Sequence, residues 1–392
     1  MQAYQRERRR LQSIPDRVIF AAPVEVSQTQ VVTRLIALAT QAQGKTSPNP
    51  AVACILLDSA GNTLGQGHTQ PAGGPHAEVM ALRDAASKGH SVLCCTAYVT
   101  LEPCSHHGRT PPCCDALIAA GIKKLVVAVQ DPNPLVAGQG IAKLRAAGIE
   151  VEVGPGAIEA RELNIGFFSR MIRKTPWVRM KIAASLDGQT ALSDGQSQWI
   201  TGEAARADGH AWRARSCAIL TGVGTVLADN PRLDVRLVQT TRQPAIIIID
   251  SRLETPLDAT ILIAARARVI YAAVPNAAKK AAFEALGVTV IYLPGTDGKV
   301  DLAAVLRDLG TREINDLHVE AGFKLNGSMI SAGLVDEFLI YLAPKLLGAG
   351  LGMAQLPPLA KLADAAPLQF LSTEMIGGDI RLRARPVGRD QF

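Results

Sequence analysis

No stretch of this 392-residue chain is apolar for long enough to cross a bilayer. The richest run, Ala245 to Ile249, reads as a buried strand. Cysteine is scarce and one-sided: there are seven, and none after Cys217. That excludes the disulfide framework of a small secreted domain and favours metal binding in a reducing compartment, the cytoplasm. The basic run Arg6-Glu7-Arg8-Arg9-Arg10 has no apolar segment behind it, so a secretory signal is not expected. It reads as a solvated tail over residues 1–27 rather than a nucleic-acid-binding arm. No internal repeat links the two halves. The second half also lacks the strand–Gly-x-Gly-x-x-Gly–helix unit of Rossmann domains. Net charge is a modest +6, which implies neither a nucleic-acid nor a membrane partner. What remains is an ordinary soluble composition, 48% apolar and 19% charged, over a length suited to two or three domains.

The chemistry is concentrated in His76-Ala77-Glu78, Pro103-Cys104 and Cys113. One imidazole and two thiolates are the three protein ligands that a catalytic zinc site needs, with a fourth position open to water. Such water is acidified from about 15.7 to roughly 7, and a neighbouring carboxylate, Glu78, can move its proton. His-x-Glu with a later Pro-Cys and a second Cys is the zinc deaminase pattern for amino groups on pyrimidine or purine rings. The spacing is unusual, because Ser105 to Pro112 separates the two cysteines where the common pattern has two residues. Cys114 adjoins Cys113 but points about 100° away on a helix.

Periodicity predicts an opening helix over 29–43 and an apolar strand over 51–57, followed by the turn cluster Asp58 to Asn62. A helix from His76 to Lys88 would hold both His76 and Glu78 in its first turn. Thr96 to Leu101 is strand-like and delivers Cys104. Pro112 precedes a helix that places Cys113 at its positive end. A strand over 124–129, a helix over 138–147 and a strand over 149–153 complete a three-layer α/β unit. Basic residues Arg170, Arg173 and Lys174 mark a boundary, giving units 28–173 and 174–392. The second unit shows strand-like runs at 178–183, 218–220, 245–250, 268–272, 289–293, 317–319 and 337–342. Its helical runs lie near 203–214, 277–286 and 301–309.

The segment Thr100 to Cys113, with Pro48-Asn49-Pro50 and Gln130-Asp131-Pro132-Asn133-Pro134, closely resembles the bifunctional deaminase/reductase family of bacterial riboflavin biosynthesis. In the second half, Lys181 to Gly188, Ser197 to Thr201, Thr225 to Pro231, Val319 to Gly322 and Leu342 to Lys345 resemble its reductase domain. The resemblance implies a cytidine deaminase-like domain followed by a dihydrofolate reductase-like α/β domain, using Zn2+ and NADPH. It implies hydrolytic deamination of 2,5-diamino-6-(5-phosphoribosylamino)pyrimidin-4(3H)-one, then reduction of the ribosyl group to ribitylamino.

Carried over by position, the resemblance implies zinc on His76, Cys104 and Cys113, with Glu78 catalytic and Asn49 and Arg109 on the substrate. NADPH contacts are implied at Ala183, Trp199, Thr225, Asp229, Ser251, Gly322, Phe323, Lys324, Leu325, Asn326, Gly327 and Ser328. The last seven form a glycine-bearing turn entering a helix, which offers free N–H groups to a pyrophosphate. Substrate contacts are implied at Ser197, Arg213, Leu233, Arg236 and Glu320, the two arginines suiting the 5-phosphate. Phe323 stands where the family usually has a small residue or proline. A homo-oligomer is expected. The competing reading is a nucleoside or RNA deaminase with a non-catalytic C-terminal module.

Overall fold

The computed structural model describes residues 27–107, 111–134, 136–263 and 265–392. The expected tail, apart from Ser27, and the substrate contact at Arg109 lie outside the described residues. The first unit runs α1 (Gln28–Thr40), β1 (Ala53–Leu57), β2 (Thr63–His68), α2 (Ala77–Ser87), β3 (Thr96–Val99), α3 (Cys113–Ala119), β4 (Lys124–Val127), α4 (Gln139–Ala146) and β5 (Glu150–Val153). α1 starts on a capping box: the Ser27 hydroxyl accepts from Gln30 N–H, and Gln30 Oε1 accepts from Ser27 N–H. The sheet order is β2-β1-β3-β4-β5, antiparallel as far as β3 and parallel from there to β5.

β1 is buried along its whole length, and the alternation of its side chains explains why. Ala53, Ile55 and Leu57 pack against Val31, Leu35 and Ala39 of α1. Cys54 and Leu56 face the other way, into a core with Ala77, Ala81 and Ala85 of α2, Leu117 of α3 and Leu144 of α4. Helices therefore cover both faces and make the three layers. Each buried Leu or Ile contributes roughly 1.5–3 kcal/mol. α2 lies directly on β2 because that strand presents glycines. A Cβ at Gly65 would sit 2.3 Å from Ala81 O, and one at Gly67 would sit 2.5 Å from the Met80 Cβ.

Two helices absent from the sequence reading, α5 (Ala157–Leu163) and α6 (Ile165–Arg173), lead to the second unit. It continues as β6 (Trp177–Ser185), β7 (Gln189–Leu192), α7 (Glu203–Arg215), β8 (Ala218–Gly222), α8 (Val223–Asp229), β9 (Ala245–Ile249), β10 (Arg268–Ala272), α9 (Ala277–Ala285), β11 (Thr289–Tyr292), α10 (Leu302–Thr311), β12 (Asp316–Val319), α11 (Phe323–Ser331), β13 (Glu337–Ala343), β14 (Gly350–Gly352), β15 (Leu368–Ile376) and β16 (Asp379–Pro386). Nine strands form one sheet, β11-β10-β9-β8-β12-β6-β13-β16-β15, parallel up to β13 and antiparallel beyond it. β7 and β14 pair separately.

The two units are joined by hydrogen bonds and by Phe392 of the second unit, which packs against the core of the first. Asn315 Nδ2 donates to Pro48 O at 2.9 Å, and Arg242 Nε donates to Gly44 O. Arg173 pairs with the buried Asp336 at 2.9 Å. On β13, the fully buried Glu337 is met by Arg179 at 3.0 Å, Arg383 at 2.9 Å and Arg385 at 2.8 Å. Among the described residues no helix is long and apolar enough to cross a membrane.

Candidate active sites

His76 is the N-cap of α2, in extended backbone, rather than a residue of its first turn. Its carbonyl accepts from Met80 N–H at 3.1 Å, and its side chain makes no capping bond, which leaves the imidazole free. Cys104 lies past the end of β3, and Cys113 is the first residue of α3. The ligand atoms of these three residues all lie within 4.8 Å of one another. His76 Nδ1 stands 3.6 Å from Cys104 Sγ and 3.3 Å from Cys113 Sγ, and Cys113 N–H donates to Cys104 Sγ at 3.3 Å.

The loop carrying Cys104 is pinned from below. The buried Glu102 carboxylate accepts from the N–H groups of Gly138 at 2.9 Å, Ile141 at 3.1 Å and Asp131 at 3.2 Å. Gly140 lets α4 approach so closely that a Cβ there would lie 2.1 Å from Pro103 O. Cys114 faces away from the cluster and donates to Pro103 O at 3.3 Å.

The sulfurs share a proton unequally. The Cys113 thiol donates to Cys104 and, with His76, holds it below the ordinary thiol value, while the same contact and burial push Cys113 up. An imidazole and two cysteine sulfurs make a soft-to-borderline donor set that fits Zn2+. Glu78 is 3% exposed beside them. Burial pushes its carboxyl up, and the Cys104 charge pushes in the same direction.

The second site is a pocket of ≈ 1150 Å³ over the C-terminal ends of β6, β8 and β12. Its lining includes Ala183, Trp199, Thr225, Asp229, Gly322, Phe323, Lys324, Leu325 and Asn326, nine of the twelve residues expected on NADPH. It also includes Ser197, Arg213, Leu233, Arg236 and Glu320, expected on the substrate. Three expected cofactor residues do not line it. Ser251 accepts from Val300 N–H at 3.2 Å. Ser328 donates back to Lys324 O at 3.1 Å along α11. Gly327 is held against the chain at Gln355, whose carbonyl a Cβ would meet at 2.0 Å. Gly322 is the N-cap of α11, so the free N–H groups of that helix's first turn belong to this wall.

Arg213, expected on the phosphate, is engaged elsewhere. Its Nε and Nη2 clasp Glu320 at 2.5 and 2.9 Å, and Nη1 donates to Asp234 O at 2.9 Å. Burial would raise the Glu320 carboxyl, but Arg213 overrides it and holds Glu320 well below the usual carboxylate range. Arg236 pairs with Asp234 at 2.6 Å and keeps 42% of its side chain exposed, so it is the freer of the two guanidiniums.

Among the lining residues left unassigned in the sequence are Lys181 and His210. Lys181 Nζ lies 3.9 Å from Glu320 Oε2, and burial holds its ammonium below the ordinary lysine value. A lysine inside the apolar strand run from Val178 to Ala184 was the signal for it. His210 accepts the Arg236 backbone N–H on Nδ1 at 3.1 Å. Burial and then Arg213 lower its pKa to about 4.

Comparisons with known proteins decide between the two functional readings. Residues 26–129 match the cytidine and deoxycytidylate deaminase zinc-binding region, and residues 176–382 match the RibD C-terminal domain. The riboflavin biosynthesis protein RibD of Escherichia coli is 44% identical over 365 residues, 90% of this chain and 97% of that protein. The chain belongs to the RibD family. RibD of Aquifex aeolicus is 41% identical over 345 residues, 88% of this chain and 94% of its own length. Among solved structures, RibD of Acinetobacter baumannii superposes with a TM-score of 0.84 at 40% identity, covering 93% of this chain and 100% of that one. A diaminohydroxyphosphoribosylaminopyrimidine deaminase/5-amino-6-(5-phosphoribosylamino)uracil reductase from Thermotoga maritima gives 0.81 at 30% identity, covering 92% and 98%.

This chain is therefore a bifunctional riboflavin-biosynthesis enzyme, a zinc-dependent deaminase and an NADPH-dependent reductase acting on small pyrimidine ribose phosphates. The nucleoside or RNA deaminase with a silent C-terminal module is set aside, because the second half matches the reductase domain.

Proposed function

We propose that His76, Cys104 and Cys113 hold the zinc and that Glu78 is the proton carrier of the deamination. The proposal rests on the three ligand atoms lying within 4.8 Å of one another beside a buried carboxylate. Zinc, when bound, supplies a water acidified to near neutrality for attack at C2 of the pyrimidine. Glu78 takes the proton of the attacking water and delivers it to the departing ammonia. Asn49 contacts the pyrimidine ring, and Arg109 contacts the substrate phosphate. The deaminase unit is residues 28–173 and the reductase unit 174–392.

In the second pocket, NADPH supplies the hydride delivered to C1′ of the ribosyl group. The N–H groups at the start of α11 hold the cofactor's phosphates. Ala183, Trp199, Thr225 and Asp229 line the same cofactor region, and Asp229 is hydrogen-bonded to Ser197. Arg236 takes the substrate phosphate, while Arg213 and Lys181 keep Glu320 charged and turned toward the ribosyl group. The chain works as a homo-oligomer in the cytoplasm. Free thiols support the reducing compartment, since all seven cysteines are unpaired.

The test is to incubate zinc-loaded protein with the diaminopyrimidine phosphate, following ammonia release and then NADPH oxidation. Glu78→Gln should retain zinc and reductase activity yet release no ammonia. Full deaminase activity in that variant would remove Glu78 from its role.

A further inference from the structure

A second cavity, ≈ 370 Å³, lies between the two units. One wall carries Ser47 and Asn49; the other carries Arg179, Trp212 and Arg215. Glu159, Glu162 and Asp316 line the cavity as well, and neither half-reaction as assigned above uses its guanidiniums.

Four guanidiniums surround the Trp212 ring, with Arg179 at 4.6 Å, Arg215 at 5.0 Å, Arg383 at 5.4 Å and Arg381 at 5.8 Å from its centroid. Three of them are neutralised by carboxylates. Arg179 and Arg383 meet Glu337 at 3.0 and 2.9 Å, and Arg381 meets Asp208 at 2.7 Å. The Arg215 side chain has no ion pair and no hydrogen bond among the described residues. A guanidinium already oriented on an aromatic face, with its fork unused, suits a phosphate, which it can bind through two parallel N–H donors.

The cavity also has a particular position. Asn49, assigned above to the deaminase substrate, stands on one side of it. On the other side, Arg179 shares a strand face with Lys181, two residues on, and Lys181 lines the reductase pocket. Trp212 on α7 adjoins Arg213, which also lines that pocket. The product of deamination keeps its phosphate and must reach the second site. We propose that the cleft is a staging site for this phosphorylated uracil intermediate, with Arg215 receiving the phosphate. The inference rests on the bifunctional activity and on the assignment of Asn49.

The test is isotope dilution on the full-length, zinc-loaded protein with NADPH. Labelled diaminopyrimidine phosphate is supplied together with excess unlabelled phosphoribosylaminouracil, and the label in the ribitylamino product is read. The wild-type product should carry more label than the mixed pool from the first turnovers onward. Arg215→Ala should fall to the pool value while each half-reaction, assayed on its own substrate, keeps its kcat and KM. Wild-type product at the pool value would overturn the proposal, and so would Arg215→Ala product with undiminished label. A slowed half-reaction in Arg215→Ala would move Arg215 into an active site and overturn it as well. Absence of ammonia release or of NADPH oxidation in the wild type would instead count against the activity assignments.

Discussion

The backbone N–H of Cys113 donates to the sulfur of Cys104 at 3.3 Å, so the peptide that carries one proposed zinc ligand favours the thiolate form of the other. This works because Cys113 opens α3, where N–H groups have no intrahelical partner. Cys114, one residue on, is turned toward Pro103 O. Cys113→Ala should lose bound zinc and ammonia release while NADPH oxidation on supplied phosphoribosylaminouracil persists. Cys114→Ala should keep zinc at the wild-type ratio. Atomic absorption on the purified variants checks both, and zinc loss in Cys114→Ala would require a different ligand set.

Glu78→Gln keeps the shape of the buried side chain and removes its ability to take a proton. Deaminase kcat should drop by about 10²–10⁴. Zinc content and the reductase rate should be unchanged, which separates a chemical effect from loss of the fold.

The candidate deaminase centre was readable because its residues are rare types at diagnostic spacing, and two helix starts and one loop bring them together. Its one geometric surprise was local. His76 caps α2 instead of lying within it, and Pro75 just before it fits an extended entry. The reductase pocket was harder, since a glycine-rich wall and scattered polar residues carry no short motif. Lys181 hides in an apolar strand, and the use of Arg213 on Glu320 depends on two segments meeting across the fold. The hairpin β15–β16 also went unread, although Arg381, Arg383 and Arg385 alternate with Ile380, Leu382 and Ala384. Its inward-facing charges pair with Glu337 and Asp208, so an alternation that reads as half-exposed strand is in fact largely an ion-pair network.

Arg213 and Glu320 form a bidentate pair in which both side chains are almost fully buried. Removing only the cation leaves a carboxylate without its partner, a change that costs about 3–5 kcal/mol. Arg213→Ala should therefore be strongly destabilised in urea. Arg213→Ala combined with Glu320→Gln should recover part of that loss yet remain inactive as a reductase. Equal stability of the single and double variants would show that the pair is not coupled.

Glu337 sets an acid limit on the fold. Burial favours its neutral form, but Arg179 and then Arg383 outweigh burial and hold the carboxyl well below its ordinary range. An unfolded glutamate titrates near about 4.3. Because the folded pKa is depressed, this contribution is fully present above that value and is lost as pH falls below it toward the folded pKa. Glu337→Gln should be less stable than wild type at pH 7, and the gap should narrow below roughly pH 4–5. Urea midpoints across that range, at equal zinc occupancy, provide the check. A gap independent of pH would mean that the arginines stabilise the fold through packing rather than through charge.

The last strand of the large sheet offers a route to the proposed homo-oligomer. Among the described residues β15 pairs only with β16, so its other edge presents unpaired N–H and C=O groups. Phe370 is 67% and Met375 65% exposed on it, an arrangement that an edge strand avoids in a monomer. A second copy of the chain, laying its own β15 against this edge, would satisfy the backbone and cover both side chains. Light scattering should give twice the chain mass for the wild type. Phe370→Asp with Met375→Asp should give the single-chain mass while retaining zinc, because β15 belongs to a different sheet from the one that carries the Cys104 loop. A monomeric wild type, or a double variant that still dimerises, would place the interface elsewhere or abolish it.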